Sequence, residues 1–281
     1  MIQDILPHKL FNQYDYKASV AKEDTVLNIC NGMLLVREEA FARNILEFPK
    51  CKDFSQDYEY TYLFRVDEEA FFLLKTELKG EEIPAGFVYV GEKKLRTEGM
   101  GPDENIFAGI TGKHLADWYR DTNYCGRCGK KMVHSGKERA MTCKECGYRA
   151  YPRIMPAVIV GVKNGDRLLL TKYRTGFAHN ALIAGFTEIG ETVEETVQRE
   201  VMEEAGLKVK NIKYYKSQPW GSANDILLGF YCEVDGDDTI TMDSEELKYA
   251  EWVKREDIIL QPGTFSLTNE MMRRFKEGVE R

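Results

Sequence analysis

The sequence predicts an α+β protein, and three observations carry that expectation. Apolar runs are of strand length and are separated by turn signals along the whole chain; one amphipathic helix is marked at both ends; and a cysteine-rich segment divides the chain near its middle. The 281 residues suit two modest domains and a small module. That length buries a core without disulfide staples. No apolar stretch approaches the roughly 18 residues of a membrane span. The opening MIQDILPHKLFNQYDY lacks a basic segment followed by an apolar one, so no secretory leader is read there and a cytoplasmic setting is expected.

Over residues 1–120 the strand-like runs are 26–29, 60–66, 70–74 and 87–90, punctuated by Lys79-Gly80 and Val90-Gly91. A short helix should follow, carrying Leu115, Trp118 and Tyr119 at helical spacing. This part reads as a small α+β domain without a catalytic constellation.

Residues 121–150 hold Cys125-x2-Cys128 and Cys143-x2-Cys146, with 14 residues between the pairs. Gly126, Gly129 and Gly147 permit tight turns that aim two thiolates at one point. Four thiolates so arranged are what a structural zinc site requires. Two disulfides are the alternative, opposed by the odd count of seven cysteines and the missing leader. Cys30, Cys51 and Cys232 read as small buried hydrophobes. Net charge is −7, which argues against a dedicated nucleic-acid binder. Residues 121–151 nevertheless carry seven Lys/Arg against three acids, a local +4 that leaves −11 elsewhere.

The remainder, 151–281, opens with Tyr151-Pro152-Arg153. Strands at 157–162 and 167–171 flank Asn164-Gly165, a strong hairpin signal. A loop through Gly176 and His179 leads to 182–186. A helix starts at Thr192-Val193-Glu194-Glu195, a capping-box pattern, and stops at Gly206. Strands are expected at 208–215, 226–233 and 250–253, and a last helix over 267–277. On the capped helix, Val193, Val197, Val201 and Ala205 trace an inward stripe. Glu200, Glu203 and Glu204 share one flank, and Glu204 projects at the edge of the apolar face. Carboxylates crowded there repel one another and resist desolvation unless cations compensate, and hard oxygen ligands on a rigid helix suit magnesium or manganese. Arg199 lies four residues from both Glu195 and Glu203, a spacing for orienting carboxylates.

The full string Gly185-x5-Glu191-x7-Arg199-Glu200-Val201-x-Glu203-Glu204-x-Gly206-Leu207 resembles the Nudix hydrolase box at every position. The resemblance implies an α/β/α sandwich with a mixed sheet and metal-dependent attack on a diphosphate linkage. The cysteine module ahead of it, Tyr151–Arg153 and Ser217-Gln218-Pro219-Trp220 together resemble the NADH pyrophosphatase branch, over roughly residues 112–266. That branch implies that Tyr151 and Phe186 sandwich a base or nicotinamide ring, and that Gln218, Pro219 and Trp220 line the dinucleotide pocket. It implies further that Glu246 and the Ala184 carbonyl join Glu200, Glu203 and Glu204 around the catalytic metal, and that the enzyme is a homodimer. Where the branch continues with Pro-Phe-Pro-x-Ser, this chain has Gly221-Ser222-Ala223-Asn224-Asp225. A more flexible and more polar wall predicts weak discrimination between NADH and NAD⁺.

The expected function is therefore hydrolysis of NAD(H), free or as the 5′ cap of RNA, to NMN(H) and AMP. The alternatives are a hydrolase of ADP-ribose or a dinucleoside polyphosphate, or a non-catalytic nucleotide sensor or zinc-ribbon nucleic-acid module. Retention of all three carboxylates, Glu200, Glu203 and Glu204, speaks against a sensor.

Overall fold

The computed structural model describes residues 1–174, 179–245 and 247–280. Gly176 and Glu246 lie outside the described residues. Contacts divide the chain into two compact units: Ile2–Arg153 with Gly221–Asn224, and Met1 with Ile154–Trp220 and Asp225–Arg281. Among the described residues no helix is long and apolar enough to cross a membrane.

In the first unit, β1 (Leu10–Phe11), β2 (Thr25–Cys30), β3 (Met33–Arg37), β4 (Tyr60–Val66), β5 (Glu69–Leu74) and β6 (Phe87–Gly91) form one sheet in the order β1-β4-β5-β2-β3-β6. Strand β3 is absent from the sequence reading, although Asn31-Gly32 before it is a hairpin signal and β2 and β3 do pair antiparallel. Two short helices, α1 (Glu38–Ala42) and α2 (Glu92–Leu95), precede the long α3 (Asp103–Asp121). The short helix expected here is thus 19 residues long. Gly109 and Gly112 weaken its signal in the sequence, but both are there for close approach. A Cβ at Gly109 would press on Phe48, and one at Gly112 would collide with Leu27 of β2.

The cysteine module adds three two-residue strands, β7 (Val133–His134), β8 (Met141–Thr142) and β9 (Arg149–Ala150), in the order β7-β8-β9. Its two knuckles are built alike. The N–H groups of Gly129 and Gly147 donate to the carbonyls of Cys125 and Cys143 at 2.8 and 3.0 Å, and the N–H groups of those cysteines donate to Lys130 and Tyr148 at 2.8 Å each.

The second unit is an α/β/α sandwich on a mixed sheet. Strands β10 (Met155–Asn164), β11 (Arg167–Tyr173), β12 (Ile183–Phe186), β13 (Val209–Trp220), β14 (Asp225–Val234) and β15 (Leu247–Lys254) run in the order β13-β14-β10-β11-β15, with β12 also on β10. The pair β10–β14 is parallel and the rest are antiparallel. Side-chain alternation then builds two cores. Val158, Val160 and Val162 of β10 pack with Val197, Val201 and Ala205 of helix α4 (Val193–Ala205). Ala157 and Ile159 pack with Leu267, Met271 and Phe275 of helix α5 (Leu267–Lys276).

Strand β13 extends beyond the expected 208–215 to include Gln218, Pro219 and Trp220. Proline fits there because β13 is an edge strand, paired on one side only. Trp220, which its sequence neighbours place in a loop, ends the strand.

Candidate active site

Helix α4 is fixed at both ends. Thr192 Oγ1 accepts from Glu195 N at 3.2 Å while Glu195 Oε2 accepts from Thr192 N at 2.7 Å, and Gly206 closes the helix in the left-handed conformation. The helix therefore presents its carboxylates from a rigid rod. Val197 and Val201 are fully buried, worth about 1.5–3 kcal/mol each.

Against this face lies β12. Gly185 pairs with Val158 of β10 on the α4 side of the sheet. A Cβ there would overlap the Glu200 carboxylate, so glycine is what lets the carboxylate rest on the strand backbone. Next to it, Glu204 is only 3% exposed, and its Oε1 accepts from Ala184 N at 3.4 Å. Glu203 sits outermost, with its side chain 58% exposed.

Arg199 organises the cluster. Its Nε and Nη2 clasp both oxygens of Glu191 at 2.6 and 3.0 Å. Nη1 donates to Glu200 at 2.7 Å and Glu203 at 3.0 Å, and Nη2 also donates to the Phe186 carbonyl at 2.9 Å. Of the two carboxylates expected for Arg199 from helical spacing, Glu203 is a partner and Glu195 is not, because Glu195 is spent on the cap. The guanidinium holds the Glu191 carboxyl down at about 2, and its carboxylate partners raise the pKa of Arg199 further. Three carboxylates thus share one cation, and buried Glu204 adds a fourth on the same helix flank. That excess of negative charge on hard oxygens fits divalent cations, which would have Glu200, Glu203, Glu204 and the Ala184 carbonyl at hand.

The four cysteines converge within 4.8 Å of one another. Their Sγ···Sγ distances of 3.6 Å (Cys125–Cys146) and 3.5 Å (Cys128–Cys143) are far beyond a disulfide bond. They are close to the ~3.8 Å edge of a tetrahedron with Zn–S bonds of about 2.3 Å. Although desolvation opposes it, N–H groups of Arg127 and Cys128 bring the Cys125 thiol down to about 7, while its coupled neighbour Cys128, despite the Lys130 N–H, is pushed up by the Cys143 thiol.

The ring-binding candidates divide. Phe186 is 49% and Tyr151 52% exposed, so neither is a core aromatic. Within its own unit the Tyr151 hydroxyl donates to Glu138 Oε1 at 3.1 Å, and Arg149 holds the same oxygen at 3.2 Å. Glu138 was not singled out in the sequence, where it is one more charge on a basic ribbon. Gln218 is fully buried, its Nε2 donating to the Phe265 carbonyl and its Oε1 accepting from Leu267 N, both at 2.7 Å. Its amide staples β13 to the start of α5. Pro219 is exposed and Trp220 half-buried against the α5-side core. A cavity of about 570 Å³ lies in the first unit between residues such as Tyr60, Tyr62, Lys75 and Lys131, and none of the residues above lines it.

The sequence matches the NUDIX domain family over residues 153–275, the stretch that holds the carboxylate cluster. The module before it matches the NADH pyrophosphatase zinc ribbon domain over residues 120–151. The chain joins the two. It is 45% identical over 154 residues to a Shigella flexneri protein named NAD-capped RNA hydrolase NudC, and 44% identical over the same length to a protein of that name from Escherichia coli (strain K12 / DH10B). The matched part is 54% of this chain and 59% of each relative, so the similarity spans about three-fifths of the curated relatives' length. A solved NUDIX hydrolase from Nitrosomonas europaea is 20% identical, with TM-score 0.48 over 55% of this chain and 90% of that one.

Proposed function

We propose that the chain is a metal-dependent diphosphatase that hydrolyses NAD(H), free or at the 5′ end of RNA, adding water across the diphosphate to release NMN(H) and AMP. The organisation in this reading is an N-terminal domain over 1–120, a zinc ribbon over 121–150 and a catalytic domain over 151–281. The observation that carries it is Glu200 resting on Gly185 beside buried Glu204, with Arg199 fixing the geometry. The names of the relatives support the substrate class.

A diphosphate is a polyanion that bare carboxylates would repel. Magnesium or manganese bound at Glu200, Glu203 and Glu204 would neutralise it and acidify an attacking water. The chain's own contribution is positional. Arg199 keeps Glu200 and Glu203 in place, Ala184 N anchors Glu204, and Phe186 and Tyr151 each offer a ring face for stacking. The ribbon zinc is structural and separate from this chemistry. A homodimer and a cytoplasmic setting belong to the same reading, the first checked by light scattering.

The test is a substrate panel with magnesium or manganese, scored by mononucleotide products. NAD⁺, NADH and NAD-capped RNA should each yield NMN or NMNH, with AMP or a 5′-phosphorylated RNA as the other product. Cleavage of ADP-ribose or a dinucleoside polyphosphate with all three left intact would refute the substrate assignment.

A further inference from the structure

At the end of the sheet stands a carboxylate that the metal cluster does not use. Asp225 opens β14 and is only 5% exposed, yet its Oδ1 has no hydrogen-bond partner. Burial pushes its carboxyl up to about 6. An uncompensated buried acceptor is costly, of the order of 1–3 kcal/mol, so its retention calls for a donor from outside the fold.

Strand register says what it stands beside. Asp225 is paired with Trp220 across β13–β14 and with Met155 across β14–β10. One rung further in, Leu227 is paired with Ala157, and Ala157 with Phe186 on β12. Leu227 and Ala157 belong to the core under α5, so alternation puts Asp225, Trp220, Met155 and Phe186 all on that face. Phe186 lies two strands across and two residues along from Asp225, roughly 12 Å at about 4.8 Å per strand and 3.4 Å per residue. A planar ring laid against Phe186 therefore brings its edge toward the carboxylate. Gly185, the seat of Glu200, is the next residue along β12 and faces α4, so a ligand with its phosphates at Glu200 and its ring on Phe186 would pass over the end of the strand, which Phe186 closes.

We infer that Asp225 determines specificity at this site: it accepts a hydrogen bond from the carboxamide N–H of a nicotinamide ring and favours the cationic, oxidised ring over the neutral, reduced one. The inference rests on the NAD(H) diphosphatase reading above and sharpens it. Both ring forms carry the carboxamide, so the hydrogen bond alone would not discriminate between them. Attraction between a carboxylate and a ring cation across several ångströms of partly dry protein does. A softened loop alone leads to weak discrimination; with Asp225 in this role the expectation becomes a preference for NAD⁺.

The experiment measures kcat/KM for NAD⁺ and for NADH at pH 8 in the full chain, its Asp225→Asn and Asp225→Ser variants, and metal-chelated samples titrated calorimetrically with each dinucleotide. The NAD⁺/NADH ratio should fall about tenfold in both variants, through weaker NAD⁺ binding, while melting temperatures stay level or rise. A wild type that cleaves both dinucleotides with a ratio the variants leave within twofold overturns the inference alone, and marks Asp225 as a structural acid. A wild type that cleaves neither overturns the substrate reading and the inference with it.

Discussion

Replacing Gly185 with alanine isolates the contact on which the site is built. The backbone there is ordinary strand without a positive φ, so alanine introduces no conformational strain, only a methyl group. To bring that methyl to ordinary contact, the Glu200 carboxylate would have to retreat by about 1.5 Å. It would do so against the 2.7 Å bond that Arg199 makes to it. Misplacing a catalytic group by 1 Å costs on the order of 10²-fold, so kcat should drop by about 10²- to 10³-fold. The stability cost should be near the lower end of the roughly 1–3 kcal/mol of an overpacked site, because a side-chain tip and not backbone must give way. The assay is steady-state hydrolysis of NAD⁺ with saturating manganese alongside thermal unfolding. A double variant with Glu200→Asp should recover melting temperature without recovering turnover, since the shorter side chain relieves the clash and leaves the carboxylate out of place. Turnover of Gly185→Ala within threefold of wild type would sink the argument, for then Glu200 need not sit where the structure puts it.

Glu204→Gln keeps shape and removes a buried charge, so turnover should fall by orders of magnitude with folding intact; turnover within threefold at saturating metal would count against a role in holding the cation. Cys143→Ser should lose the zinc, and metal analysis of wild type should return about one zinc per chain; a wild type purified without chelators and lacking zinc refutes the ribbon site. Phe186→Ala should raise KM for dinucleotides by about 5- to 150-fold, the equivalent of 1–3 kcal/mol of stacking. Equal loss with a ringless diphosphate would make Phe186 a packing residue. The Glu191 carboxyl is held at about 2 by Arg199, below its ordinary 4.5. Because the folded-state value is depressed, its contribution to stability is present above pH 4.5 and lost as pH falls toward 2. In chelated protein the melting-temperature gap between wild type and Glu191→Gln should therefore close over that window, and a gap constant from pH 5.5 to 2.5 contradicts the ion pair.

What the sequence by itself determined is the part of this protein written at short range. The α4 cap at Thr192 and Glu195, the stop at Gly206, the shared flank of Glu200, Glu203 and Glu204, and the two cysteine knuckles each depend on residues within about five positions of one another. Turn geometry and the 3.6-residue period carry such features directly. Most strands of both sheets were legible for the same reason, whereas the sandwich was implied only by the family resemblance of the helix and its flanks. Only the tertiary structure decided which distant groups meet. Arg199 takes Glu191 in place of Glu195 because the chain before α4 returns over the helix flank. Helix α3 runs through Gly109 and Gly112 because Phe48 and Leu27 fill the space a side chain would need. Gln218 is consumed by α5, and Asp225 is buried beside Trp220, because strand register aligns residues with no periodic relation in the sequence. Such pairings are set by the balance of burial and hydrogen bonding over a whole sheet, which no local pattern encodes.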